Sequence, residues 1–292
     1  MKHAYLVMAH HQIELLQVLL ELIDDDNNDI YLHIDSKWKD FDFSLCRNAV
    51  HKSNIYLVKR RNVTWGGYSQ IQLEIDMLKE AIKESYSFYH LLSGVDLPIK
   101  SQKYIHEYFE KYRDYEFISF DYNQDLSGFD YRIDQYIFFQ EIYGNKKNIL
   151  YFIDTLFGLI QKELGVHRIR KLPFELKKGA NWFSISHELA MYVLQREKEI
   201  KKYFKRSRCC DELFLQTLAY NSKFKNRLYF DKNVSRNYNM RYVDFQRGNP
   251  YIFQNSDLPL LKKREELFAR KFDWNKDKDV ILNLKEYILG GS

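Results

Sequence analysis

Cysteine is scarce in this 292-residue chain: only Cys46, Cys209 and Cys210 are present. An odd count with one adjacent pair builds no disulfide framework and points to a reducing compartment. Long apolar runs are missing too, since none approaches the roughly 18 residues that a membrane-crossing helix needs. The stretch Ala4 to Ala9 is too short for a signal-peptide core and reads as a strand. A soluble, cytoplasmic protein is therefore expected, with a basic surface that leaves peripheral membrane association open. No glycine-rich phosphate loop of the GxGxxG or P-loop kind occurs. No paired Cys or His motif has zinc spacing, and adjacent Cys209 and Cys210 do not readily serve one tetrahedral site. An Asp-x-Asp pair that would hold a divalent ion is also missing. Repeats, low-complexity stretches and linkers are absent, so a single unit spanning 1–292 is expected. Residues 1–120 read as its nucleotide-binding half and 121–292 as its acceptor-side and catalytic half.

What is present suits a folded enzyme. Hydrophobic residues make up 45% and charged residues 29%, enough for a sizeable core under a polar surface. A net charge of +5 is mild for a nucleic-acid partner but suits an anionic nucleotide diphosphate. Aromatics reach 16%, which serves core packing and can also supply platforms for a sugar or a base.

The apolar pattern alternates strand with helix. Residues 4–9 form a strand, Glu14 to Ile23 a helix, and Ile30 to Ile34 a strand ending at Asp35. Ile55 to Val58 continues as strand, Ser69 to Lys83 as helix, and Phe88 to Leu92 as strand, with Asp96 just beyond. Tyr104 to Tyr112 reads as helix and Phe117 to Phe120 as a further apolar segment. This rhythm predicts an α/β fold with a mostly parallel sheet. From 121 to 175 it loosens, with one helical stretch near Ile149 to Leu164. Asn181 to Ser186 is strand-like and Glu188 to Glu197 helical. A basic loop, 201–208, then leads to Asp211-Glu212 at a helix start.

Ligands of open α/β sheets bind beyond the carboxyl ends of strands, where His10, Asp35 and Asp96 stand. Each also has an ordinary reading as turn chemistry. With only single carboxylates there, a metal-free mechanism is the leading idea. A departing diphosphate then needs cations, for which Arg247, Arg270 and Lys271 are candidates. Asp211 and Glu212 read either as helix caps or as the acid pair that supplies a general base.

Several blocks resemble one family in order along nearly the whole chain. They are Ala4–His11, Ile30–Lys37, Val63–Ser69, His90–Lys100, Gly179–Ser186 with Trp182, Asp211-Glu212 and Phe268–Asp273. The chain is identified as similar to the core-2/I-branching β-1,6-N-acetylglucosaminyltransferases, a family that includes protein xylosyltransferases. The resemblance implies a GT-A-type Rossmann-like fold and metal-independent, inverting transfer from a UDP-sugar to a glycan or glycosylated acceptor. It implies no cofactor besides that donor, and no nucleic-acid partner. By similarity Asp35 lies at the uridine, Trp65 near the base, and Asp96 on the sugar-diphosphate side. Glu212 is then the catalytic base and Lys271 the diphosphate cation, with Arg247 as a second. Animal members carry a membrane anchor and a disulfide-rich lumenal domain. This chain opens at the first strand, so a bacterial-type cytoplasmic enzyme is expected. The rival readings are a sugar-nucleotide-binding protein without catalysis, a nucleic-acid binder, and a metal-dependent transferase.

Overall fold

The computed structural model describes residues 1–121, 124–230 and 238–290. Within the stretch 121–175, residues 122 and 123 lie outside the described residues.

Strands β1 (His3–Ala9), β2 (Asn28–Ile34), β3 (Asn54–Leu57) and β4 (Phe88–Ser93) are parallel neighbours in the order β3-β2-β1-β4. All seven residues of β2 and all six of β4 are buried, as strands covered on both faces must be. Side chains alternate between two cores. Tyr5, Val7, Ile30 and Leu32 face α1 (Ile13–Ile23), α4 (Gln102–Lys111) and the C-terminal α11 (Lys278–Gly290). Ala4, Leu6, Tyr31 and Leu91 face α3 (Tyr68–Ala81) and α7 (His187–Gln195). Short α2 (Phe43–Arg47) packs beside α1.

Two further strands, one from each half of the chain, complete the main sheet. Strand β7 (Phe183–Ser186) pairs antiparallel with β4, and β6 (Phe117–Ile118) pairs with β7. A smaller sheet joins β5 (Leu97–Pro98), β9 (Phe268–Arg270) and β8 (Arg241–Val243). The expected α/β architecture with a mostly parallel sheet flanked by helices is thus present.

The intervening helices are α5 (Gln140–Tyr143), α6 (Ile149–Glu163), α8 (Glu197–Phe204), α9 (Phe214–Tyr220) and α10 (Leu258–Lys263). The basic run 201–208 departs from its expected loop, because Lys201–Phe204 completes α8. Ile200 and Phe204, four apart, bury one face of that helix and leave its lysines to solvent. Asp211 and Glu212 do not cap α9. They sit in a 3-10 turn, Cys210–Glu212, that precedes it without a side-chain cap. The Asn181–Ser186 strand begins only at Phe183, and the closing block forms β9 at Phe268–Arg270.

Candidate functional site

The carboxyl ends of β1, β2 and β4 open together, and His10 and Asp35 directly follow β1 and β2. The buried Asp35 carboxylate accepts the Lys37 N–H at 2.8 Å and the Val63 N–H at 3.2 Å, with Lys37 Nζ 3.4 Å away. The segment 61–63 is pinned over it, since His33 Nε2 accepts the Arg61 N–H at 3.0 Å. That bond needs a neutral imidazole, and burial keeps it so by lowering the His33 pKa to about 4. His10 lies in the same electrostatic neighbourhood. Desolvation and His11 lower its pKa, and it feels Asp35, Lys37 and Arg270.

Beyond β4, Asp96 is buried, and its carboxylate accepts the Ser93 N–H at 2.8 Å and Arg270 Nη1 at 2.6 Å. Burial raises its pKa, against the pull of Arg270 and of buried Arg241. The Arg270 guanidinium lies 4.4 Å over the Trp182 ring, so β4, β7 and β9 are clasped by three functional candidates. Lys271 follows directly, held through its backbone by Tyr251 and Phe253. Its ammonium makes no ion pair among the described residues, which leaves it available for an anion.

A second group forms around Trp65, whose indole is 53% exposed and lies 5.7 Å beneath the Arg208 guanidinium. Gly66 adopts φ +71°, where a Cβ would come within 2.9 Å of Cys209 Sγ. Its carbonyl accepts the Cys209 N–H at 2.8 Å, which ties the Trp-Gly-Gly turn to the acidic pair. Asp211 points inward and accepts Gln70 Nε2 at 3.2 Å, while its other oxygen has no hydrogen-bond partner among the described residues. Burial first, then Glu212, pushes the Asp211 pKa up to about 7. Among the described residues, neither carboxyl oxygen of fully buried Glu74 on α3 has a hydrogen-bond partner, and burial and Asp211 raise its pKa well above the usual range. Glu212 points the other way. Its Oε2 accepts Arg132 Nη1 at 2.6 Å and has Lys178 Nζ 3.9 Å away. No hydrogen bond to its Oε1 occurs among the described residues.

These blocks coincide with a family pattern: residues 3–274 match the model of the Core-2/I-Branching enzyme. The chain belongs to that family. Membership makes it a glycosyltransferase. It is similar to a human β-1,3-galactosyl-O-glycosyl-glycoprotein β-1,6-N-acetylglucosaminyltransferase at 24% identity, over 98% of this chain and 69% of that protein. It is also similar to a Ciona intestinalis xylosyltransferase at 23% identity, over 98% of this chain and 34% of that protein. The chain therefore spans about one third of the xylosyltransferase's length. Among solved structures, apo mouse xyloside xylosyltransferase 1 shows 12% identity and a TM-score of 0.35, over 91% of this chain and 97% of that one. Likeness of that size carries no weight for fold or activity.

Within this family member, the structure gathers His10, Asp35, Asp96, Trp182, Arg270 and Lys271 around the strand ends. It joins Trp65, Asp211 and Glu212 through Gly66. Arg247 is otherwise engaged, donating to Asp244 at 2.6 Å and to Asp257 at 2.6 Å, with Tyr251 beneath it. Arg132, Lys178 and Glu74 were not legible as site residues. Arg132 comes from the stretch where the pattern loosens. Glu74 shows only as one acid on the buried face of an amphipathic helix, a weak sign of an unusual environment. No group of three or more His, Cys, Asp or Glu suited to a metal ion occurs among the described residues. No helix among them is long and apolar enough to cross a membrane.

Proposed function

We propose that this chain transfers a sugar, N-acetylglucosamine or xylose, from a UDP-sugar to an acceptor hydroxyl with inversion and without a metal. The observation that carries the reading is Glu212: one carboxylate oxygen is held by Arg132 and the other accepts no hydrogen bond among the described residues. In the reaction, the acceptor oxygen attacks the anomeric carbon while the bond to UDP breaks on the opposite face. The hydroxyl proton passes to Glu212 Oε1, and the leaving diphosphate takes the bonding electrons. Lys271 neutralises that departing charge, with Arg270 beside it. Asp35 and Trp65 flank the uridine. Metal independence is supported by the state of the strand-end carboxylates, since backbone N–H groups hold Asp35 and Arg270 holds Asp96. Residues 1–292 act as one transferase unit, because β7 from the second half sits in the main sheet between β4 and β6 of the first.

The test is incubation with a panel of UDP-sugars, scoring UDP release with and without excess EDTA. Glu212→Gln should bind UDP normally and turn over at least ~100-fold more slowly. Normal turnover by that variant would end the mechanism. UDP binding by the parent with no turnover of any UDP-sugar would favour a binding protein instead.

A further inference from the structure

Helix α6 is turned inside out. Its one buried side chain is Asp154, whose carboxylate accepts the N–H groups of Phe138 and Phe139 at 2.9 and 2.8 Å. Gln161, two turns later on the same face, exchanges hydrogen bonds with the Tyr136 backbone, both 2.9 Å. The opposite face carries Ile149, Phe152, Leu156, Leu159 and Ile160, each between 46% and 70% exposed. This spacing places them on one stripe of the helix, the stripe that ordinarily turns to a core. Here the polar stripe faces the protein and the apolar one faces water. Ile142 and Leu164, also exposed, extend the patch at either end. Contiguous apolar surface of this kind marks an interaction site.

Charge decides the occupant. Between 142 and 171 there are six Lys or Arg and only two carboxylates, Asp154 and Glu163. Asp154 is buried, whereas Lys146, Lys147, Lys162, Arg170 and Lys171 are all exposed. A second copy of the chain docking there would bring these cations against their own counterparts. An anionic lipid surface meets both demands, because its acyl chains accept the apolar stripe and its phosphates accept the lysines.

We propose that α6 lies in the plane of an anionic lipid bilayer, with Phe152, Leu156 and Leu159 below the headgroups and the flanking lysines on the phosphates. Arg208 stands 5.8 Å from the ring of Tyr151 on α6 and 5.7 Å from that of Trp65. The helix that carries the docked face thus borders the proposed site through its protein-facing side, which would bring an acceptor carried on a lipid near that site. Docking itself does not rest on the transfer activity and can be measured apart from it.

The experiment is co-sedimentation of the full chain with phosphatidylcholine vesicles, with and without about 30% phosphatidylglycerol. The chain should pellet with the anionic vesicles and release as salt rises. Phe152→Glu/Leu159→Glu should weaken binding at least ~10-fold while its melting temperature and UDP affinity stay unchanged. Lys146→Gln/Lys147→Gln, which alters only exposed charge, should weaken anionic-vesicle binding and flatten its salt dependence. A parent chain that stays in the supernatant with both vesicle types overturns the proposal. So does vesicle binding that both double variants retain in full. A dimer in light scattering that Phe152→Glu/Leu159→Glu dissociates, without vesicle binding by the parent, assigns the face to a second copy and likewise overturns it.

Discussion

Arg132 Nη1 donates to Glu212 Oε2 over 2.6 Å, and Lys178 Nζ stands 3.9 Å from the same oxygen. Two cations on one oxygen fix the carboxylate's rotation and leave Oε1 to receive a proton. Arg132 is thus a positioning residue for the proposed base. Arg132→Ala is expected to lower kcat by ~10- to 100-fold with UDP affinity unchanged, because misplacing a reacting group costs rate rather than donor binding. Arg132→Lys should recover part of the loss. A drop in UDP affinity matching the drop in kcat would place Arg132 at the donor instead. Steady-state kinetics and UDP calorimetry on one preparation separate the two.

Lys271 and Arg247 should behave in opposite ways. The Lys271 ammonium is unpaired among the described residues, so Lys271→Ala is expected to reduce turnover ~100-fold or more with little change in melting temperature. Arg247 bridges Asp244 and Asp257, so Arg247→Ala should lower the melting temperature by roughly 2–5 °C and leave transfer nearly intact. The reverse pattern would return Arg247 to the diphosphate and remove Lys271 from it.

Asp211 makes a signed prediction about pH. Its folded pKa of about 7 lies above the ordinary carboxyl value of 3.8, so between these values the folded state keeps a proton that the unfolded state releases. Its contribution to stability is complete below about pH 4 and is lost as pH rises towards 7. His33 acts in the opposite sense. Its folded pKa of about 4 makes its contribution complete above its ordinary 6.5 and lost as pH falls. Comparing Asp211→Asn with the parent cancels His33. The variant should gain on the parent as pH rises from 4 to 8, by on the order of 2–4 kcal/mol at the upper end. Denaturant melts at each pH provide the measurement, and a difference independent of pH would refute the buried-acid reading of Asp211.

Gly66 tests the tie between the Trp65 turn and the acidic pair. At φ +71° an L side chain is strained, and a Cβ would meet Cys209 Sγ at 2.9 Å and Gln140 Nε2 at 3.0 Å. Gly66→Ala should cost about 1–3 kcal/mol of stability. It should also slow transfer, because Gly66 holds the segment that carries Glu212. A variant with reduced stability but parental kcat would show that this tie is structural only.

Much was legible because parallel strands advertise themselves. β2 is buried on both faces, its apolar stretch Ile30–Ile34 is broken only by His33, and Asp35 directly after it marks the strand end. The same logic located His10 and placed Asp96 just past β4. Local signals served worse where tertiary packing competes with them. Asp211 and Glu212 looked like caps because acids favour helix starts, yet burial turned one inward and an ion pair turned the other outward. The apolar face of α6 carried the periodicity of a core-facing helix, and periodicity is silent on which side the protein lies.

By itself the sequence determined the order of strands and helices, the carboxylates at the strand ends and the Core-2/I-Branching family, because these depend on residue type and short spacing. Only the tertiary structure decided that Arg132 reaches Glu212, that Arg247 is committed to Asp244 and Asp257, and that Glu74 lies beside Asp211. The first and last of these contacts join residues 80 and well over 100 positions apart. Such partners share no local pattern. They meet because the sheet and its helices bury enough apolar surface to fix one arrangement of the chain.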